Sequence, residues 1–126
     1  MADQLPNIIR DRSELQDILE NIFRIFMEKD GKQHVYYQPG ANVTLNYPCA
    51  VYKRDSNQST RADNRIYSNN WSYQVIIIDK DPISSRINAE GTKTIIDAMS
   101  ELPKCSYIRH YVADNLNHDV FKIYYR

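Results

Sequence analysis

The stretch Trp71-Ser-Tyr-Gln-Val-Ile-Ile-Ile-Asp79 decides the fold of this chain. Its β-branched run is too short for a helix, and Asp81-Pro82 follows it, where the proline disfavours helical backbone in the preceding residue. The stretch therefore predicts a β-strand. We expect this strand to be central in a sheet, with the other elements arranged around it.

A helix is predicted upstream of this strand, between Arg10 and Gly31. Asp11 can cap its amino end, Glu14 follows three residues later as in a capping box, and Gly31 comes after the expected end. Apolar residues recur at steps of three and four, which places them on one stripe that should cover a sheet. They are Leu15, Ile18, Leu19, Ile22, Phe23 and Phe26.

The segment ahead of this helix, residues 1–9, has a short apolar part at residues 5–9. It allows two interpretations. It is either an N-terminal arm that docks on a neighbouring subunit, or a hydrophobic staple on the helix, and the mobility of chain ends favours the staple.

Four further strands are predicted around the central one. Residues 34–38 and 47–53 precede it, and residues 105–113 and 120–125 follow it. The last two strands are separated by the polar residues 114–119, whose Asx side chains favour turns, so the chain should end in a hairpin.

A second helix is expected to begin within residues 84–89 and to run to about Glu101, where Pro103 stops it. The resulting order is helix, strand, strand, strand, helix, strand, strand. This order predicts a single α+β domain over residues 1–126, in which two helices flank a mainly antiparallel sheet.

The connection at residues 54–64 holds no large apolar residue and cannot anchor itself by burial. We therefore predict a mobile polar loop between two strands. Its Arg54, Asp55, Arg61 and Asp63 carry charges of both signs, and such groups choose a partner through charge-assisted hydrogen bonds. The alternative is a solvated hairpin loop that has no partner.

Composition disfavours several classes of function. Sixteen Lys and Arg balance sixteen Asp and Glu, so no overall field draws the protein to nucleic acid or to an anionic membrane. The apolar run at residues 75–78 falls far short of the roughly 20 residues that span a bilayer, and no basic-then-apolar signal opens the chain. We expect a soluble, unsecreted protein that buries its own core.

The patterns that could support catalysis are weak. Asp79-x-Asp81 is similar to a carboxylate pair that holds magnesium, and with His118 it would make a small metal-dependent enzyme. Pro82 directly after the pair favours an ordinary turn instead. The histidines lack the spacing of a metal-binding frame, and three glycines are too few for a phosphate loop. We therefore expect no enzyme activity, no cofactor and no metal site.

Two cysteines, Cys49 and Cys105, are too few for a disulfide scaffold and do not form a C-x-x-C pair. Both lie in predicted apolar strands, where burial raises the pKa of a thiol and removes its reactivity. We predict buried, reduced thiols that carry no chemistry.

A set of short polar and aromatic phrases stands out between Arg10 and Tyr125, and the most specific of them is Ala113-Asp-Asn-Leu-Asn-His-Asp119. The others are Asn46-Tyr-Pro-Cys-Ala-Val-Tyr52, Ala62-Asp-Asn-Arg-Ile-Tyr67 and Tyr73-Gln-Val-Ile-Ile-Ile-Asp-Lys-Asp-Pro82. In order and spacing the chain resembles the small tail terminator proteins of long-tailed bacteriophages, which are also called tail completion or minor capsid proteins.

The resemblance implies a virion protein that is assembled in the host cytoplasm. Such proteins form homomeric rings, usually hexamers, at the head-proximal end of the tail tube. They stop polymerisation of the tube and present a surface to the head connector, while DNA passes through the ring without sequence-specific binding. The polar loop would then contact the tail tube or a neighbouring subunit. A head-side completion or stopper protein of the neck is the alternative within the virion.

Overall fold

A computed structural model describes the backbone of residues 11–55, 58–62, 65–70 and 72–124, and the side chains of residues 11–55, 72–83 and 85–124. The predicted α+β class is confirmed. Helices α1 and α2 span Arg12–Phe26 and Ile95–Ser100. Strands β1 to β7 span Val35–Tyr37, Cys49–Arg54, Gln58–Ala62, Arg65–Asn70, Ser72–Asp79, Cys105–Ala113 and Leu116–Tyr124. Residues 1–9, interpreted as either a docking arm or a staple on the helix, lie outside the described residues.

The main sheet has five strands in the order β1-β2-β5-β7-β6. Strand β5 is third of the five, so its predicted central position is confirmed. Strand β5 pairs antiparallel with β2 and with β7, and β7 pairs antiparallel with β6. The prediction of a mainly antiparallel sheet holds only in part, because β1 and β2 pair parallel and make the sheet mixed.

Helix α1 covers one face of this sheet, as its apolar stripe predicted. Asp11 caps it, since its side chain accepts a hydrogen bond from the Glu14 backbone N–H at 2.9 Å. Ile18 and Phe26 are partly buried at the edge of the core. Buried residues of both helices meet the sheet in one cluster, which includes Leu15, Leu19, Ile22, Phe23, Tyr52, Val75, Ile77, Ile95, Met99, Phe121 and Ile123.

The helix ends at Phe26, well before Gly31, so the predicted role of that glycine is wrong. Gly31 is buried at the start of a short 3₁₀ turn, Gly31–Gln33. A Cβ at this position would lie 2.4 Å from the Cα of Glu20, closer than any side chain tolerates. A close approach between the turn and α1 therefore requires the glycine, and the end of the helix does not.

The second helix is much shorter than predicted. It begins at Ile95, not within residues 84–89. Before it, the side chain of Asn88 accepts hydrogen bonds from the backbone N–H groups of Thr92 and Lys93, and Thr94 forms a capping box with Asp97. These side chains satisfy backbone groups in a turn, which competes with helix formation over residues 86–94.

The mobile loop predicted at residues 54–64 contains a strand instead. Strands β3 and β4 pair antiparallel and form a separate two-stranded sheet, with a bulge between Thr60 and Arg61. The prediction considered only side-chain burial, whereas the backbone of this polar segment finds its hydrogen bonds in β4. Within the predicted loop, the backbone of Ser56, Asn57, Asp63 and Asn64 lies outside the described residues.

The predicted terminal hairpin is confirmed, with a shorter turn. Strand β6 has the predicted bounds, Cys105–Ala113. The turn consists of Asp114 and Asn115 alone, which have φ values of 54° and 62°. Strand β7 therefore begins at Leu116, four residues before the predicted start. Positive φ at both central residues is the geometry of the tight hairpin turn that matches strand twist, and Asp and Asn tolerate it.

Candidate interaction surface

The hairpin of β3 and β4 is inserted at one end of the main sheet. Strands β2 and β5 pair up to Arg54 opposite Tyr73, and the Asp55 N–H donates to the Ser72 carbonyl oxygen at 2.8 Å. The chain leaves the sheet after Asp55 and returns to it at Ser72. The hairpin therefore starts and ends at a fixed base in the main sheet.

Three of the four predicted contact residues are described, two at this base and one in the hairpin. Arg54 is exposed at the end of β2, and a carboxylate oxygen of Asp55 lies 3.6 Å from the Lys122 ammonium nitrogen of β7. Arg61 is opposite Ile66 in the hairpin, and Asp63 lies outside the described residues. The structure thus joins Asp55 to a cation, Lys122, that sequence reasoning did not identify.

Strand β6 has exposed side chains, although the sequence patterns were interpreted as those of an ordinary packed strand. Within the described sheet β6 lies at one edge and pairs only with β7. Its large apolar side chains are exposed, with Ile108 at 50 % and Val112 at 62 % of full exposure, and Tyr107 and Tyr111 are exposed too. An apolar edge strand is a template for pairing with another chain. The sequence did contain one indication of this exposed edge. Residues 105–113 form a long predicted strand with neither Lys nor Pro, the residues that commonly protect edge strands.

The aromatic residues of β6 are held in place by β7. The ring of Tyr111 stacks on His118 with 4.6 Å between centroids, and the Arg109 guanidinium lies 5.6 Å from the Tyr111 ring centroid. The Tyr107 hydroxyl donates to an oxygen of Asp119 at 2.7 Å. Removal of that hydroxyl from water, together with this hydrogen bond, raises the pKa of Tyr107 to about 12. These contacts hold the edge strand in a defined shape.

The acidic pair at the end of β5 is engaged by a cation. Asp79 is 1 % exposed, and Arg86 contacts one of its oxygens at 2.7 Å and an oxygen of Asp81 at 3.4 Å. This ion pair fixes the turn that leaves β5, as the proline after the pair suggested.

The proposed third ligand, His118, is not brought to that pair. His118 is opposite Ile78, the neighbour of Asp79, so it projects from the other face of the sheet. No group of three or more His, Cys, Asp or Glu in the described part of the chain is arranged to hold a metal ion. The three residues of the metal-enzyme alternative are therefore not assembled into one site.

His34 lines a cleft of about 950 Å³ between the 3₁₀ turn and the end of β5. Its Nδ1 lies 2.9 Å from the Asn46 carbonyl oxygen and 2.8 Å from that of Pro48, and its ring stacks on Phe23. Since carbonyl oxygens only accept, Nδ1 carries the proton. His34 thus ties the connection before β2 to helix α1.

Both cysteines are free thiols. Cys49 is fully buried and Cys105 is partly buried, so burial is as predicted for the first and incomplete for the second. Burial raises the pKa of each thiol to about 12, with a smaller contribution from Asp79 at Cys49. Because the thiolate is the reactive form, neither cysteine is a strong nucleophile near neutral pH.

Comparison of the chain with models of known protein families gives no match, and comparison with curated proteins gives none either. None of the helices in the described ranges has the length and apolar character needed to cross a membrane. The described part of the chain forms an α+β fold in which the β3–β4 hairpin is inserted between β2 and β5 and the main sheet ends at an exposed edge strand, β6.

Proposed function

We propose that the protein is a tail terminator of a long-tailed bacteriophage. Six copies form a ring at the head-proximal end of the tail tube, stop polymerisation of the tube and present the surface on which the head connector docks. DNA passes through the ring without sequence-specific contacts. The protein assembles in the host cytoplasm and acts in the virion.

One observation carries this proposal. The most terminator-like phrase of the sequence, Ala113 to Asp119, builds the hairpin that presents the apolar edge. The side-chain amide of Asn117 donates to the Lys80 carbonyl oxygen at 3.1 Å, and Asp119 accepts from Tyr107. The resemblance therefore falls on residues that hold this hairpin together and join it to the end of β5.

The charge pattern at the base of the β3–β4 hairpin supports the same proposal. Arg54 and the Asp55–Lys122 pair place charges of both signs where β3 and β4 leave the main sheet. Partly exposed charges of this kind gain little affinity, but they select a partner and fix its register. A terminator needs that selectivity because it must recognise the end of one particular tube.

Electron microscopy of purified tails tests the proposal. We expect sixfold density at the head-proximal tail end, and we expect tubes of uncontrolled length when the gene is disrupted and normal length when purified protein is restored. A single copy at the tail end would contradict the ring. Density that stays with the heads after heads and tails are separated would instead identify a head-side completion protein.

A further inference from the structure

The free edge of β6 has a defined pattern of backbone groups. The two-residue turn pairs Ala113 with Leu116, and this pair sets the alternation along the strand. Ala113, Tyr111 and Arg109 direct their N–H and C=O groups toward β7, whereas His110 and Val112 direct theirs to the outer edge. The bulge between Tyr107 and Arg109 skips Ile108 and interrupts this alternation, so residues 109–113 form the regular segment that is ready to pair.

We propose that this segment pairs antiparallel with the same segment of a second copy of the chain, about a two-fold axis at His110. Arg109 then lies opposite Tyr111 of the partner subunit. This pair occurs twice, because a two-fold contact is self-complementary. The two main sheets become one continuous sheet.

The chemistry of the side chains selects this register over its neighbours. A two-fold axis at Arg109 would place two guanidinium groups directly opposite each other, which is destabilising. An axis at Tyr111 would place Arg109 opposite Ala113 of the partner subunit, where it meets no aromatic ring. The axis at His110 instead places Arg109 opposite the aromatic ring of Tyr111 of the partner subunit, and a cation–aromatic cross-strand pair is favourable.

The two-fold contact is separate from the contacts of the proposed ring. A ring of six copies closes through head-to-tail contacts between different surfaces, whereas this contact joins identical surfaces. The inference therefore does not depend on the proposed function, and its two main tests use the purified protein.

Sedimentation velocity over a wide range of concentration is the first test. We expect a reversible dimer, and we expect Val112→Lys to raise its dissociation constant by at least about tenfold, because a charge on an exposed edge opposes strand pairing. Ile87→Lys is the matched control, since Ile87 is 52 % exposed and forms an isolated β-bridge with Thr94, outside the main sheet. It should leave the dimer unchanged, and circular dichroism verifies that both variants fold.

Disulfide cross-linking tests the register in a Cys105→Ser background. His110→Cys should form an intermolecular disulfide under mild oxidation, because the two copies of residue 110 are opposite each other. Arg109→Cys should not, since its copies are offset along the strands. A native protein that stays monomeric, or equal cross-linking of both variants, would overturn the proposal. A third result would also overturn it: the native protein is monomeric, and Val112→Lys abolishes binding to tail tubes. The β6 edge would then contact the tail tube and not a second copy.

Discussion

At the scale of single residues, the contact between Tyr107 and Asp119 couples the edge strand to the core. Asp119 is 3 % exposed, and only one of its oxygens accepts a hydrogen bond from Tyr107. The other carboxylate oxygen is buried and has no hydrogen-bond partner among the described residues. Because a buried carboxylate needs hydrogen-bond donors, the hydrogen bond from the Tyr107 hydroxyl is important for stability.

The change Tyr107→Phe should lower the free energy of unfolding by about 1–3 kcal/mol, because it leaves a buried acceptor without its donor. Urea denaturation at pH 7 measures this loss. Tyr111→Phe, on the same exposed strand, is the matched control and should have little effect. The raised pKa of Tyr107 favours its neutral form in the folded state, so its contribution is full below about pH 10 and is lost as the pH approaches about 12. If the difference in free energy of unfolding between the native protein and Tyr107→Phe stays constant over that pH range, this role of Tyr107 is contradicted.

Replacing Cys49 with Ala should lower the free energy of unfolding by about 1 kcal/mol or more, through lost packing in a fully buried position. The same change at the partly buried Cys105 should cost less. Because burial raises the pKa of both thiols to about 12, alkylation of the folded native protein at pH 8 should be far slower than that of an unfolded control. Normal tail joining by a stable double variant is expected, and its loss would mean that a thiol has a function.

At the scale of elements, the packing of α1 against the turn that follows it controls where the chain enters the sheet. The turn approaches the helix so closely that a Cβ on Gly31 would meet the backbone of Glu20. His34, just after the turn, stacks on Phe23 of the same helix and bonds to the connection before β2. The placement of β1 beside β2 therefore depends on the close contact between α1 and this turn, which leaves no space for a side chain at position 31.

The change Gly31→Ala should destabilise the protein by about 2 kcal/mol or more, since the clash falls on backbone atoms that cannot move without shifting the helix or the turn. Gly40→Ala is the matched control, because nothing lies within 4 Å of a Cβ built there. Thermal unfolding of the two variants side by side measures the difference. Equal melting temperatures would show that the helix and the turn are not in close contact.

At the scale of the whole molecule, one face of the main sheet carries the helices. Strand β6 lies at the edge of that sheet, and β3 and β4 form a separate two-stranded sheet. A two-stranded hairpin is only marginally stable by itself in water, so contact with a partner should affect it more than any other element.

Hydrogen exchange of the hairpin in free protein and in assembled tails tests this expectation. Amides within Gln58–Ala62 and Arg65–Asn70 should exchange quickly in the free subunit and at least about tenfold more slowly in tails. Amides of the central strand β5 serve as the internal control and should be protected in both states. Equal hairpin rates in both states would mean that it does not dock.

Local sequence patterns correctly predicted the elements whose formation depends least on contacts with distant parts of the chain. The apolar stripe and the Asp11 cap placed α1, and the short β-branched run placed β5, because periodicity and capping act within a few residues. The same reasoning failed at residues 84–94, where Asn88 and Thr94 bond to local backbone groups. It also failed at the polar segment of β3, whose hydrogen bonds come from β4.

The candidate contact residues show the same division. Arg54 and Asp55 were selected from their charge and their place after a strand, but the pairing of Asp55 with Lys122 joins residues far apart in the sequence. The exposure of β6 was not predicted, because its apolar and aromatic composition is equally typical of a packed strand. Whether a strand lies at an edge depends on the order of all five strands, which no single segment encodes.

The sequence by itself determined the α+β class, the central strand, the first helix and the terminal hairpin, because burial periodicity and turn chemistry are properties of short segments. The tertiary structure alone decided that β1 runs parallel to β2, that Gly31 serves a close approach to α1, and that β6 ends the sheet with its apolar side chains open. Those features depend on which distant backbone and side chains meet, and the free energy of such contacts is available only once the chain has folded.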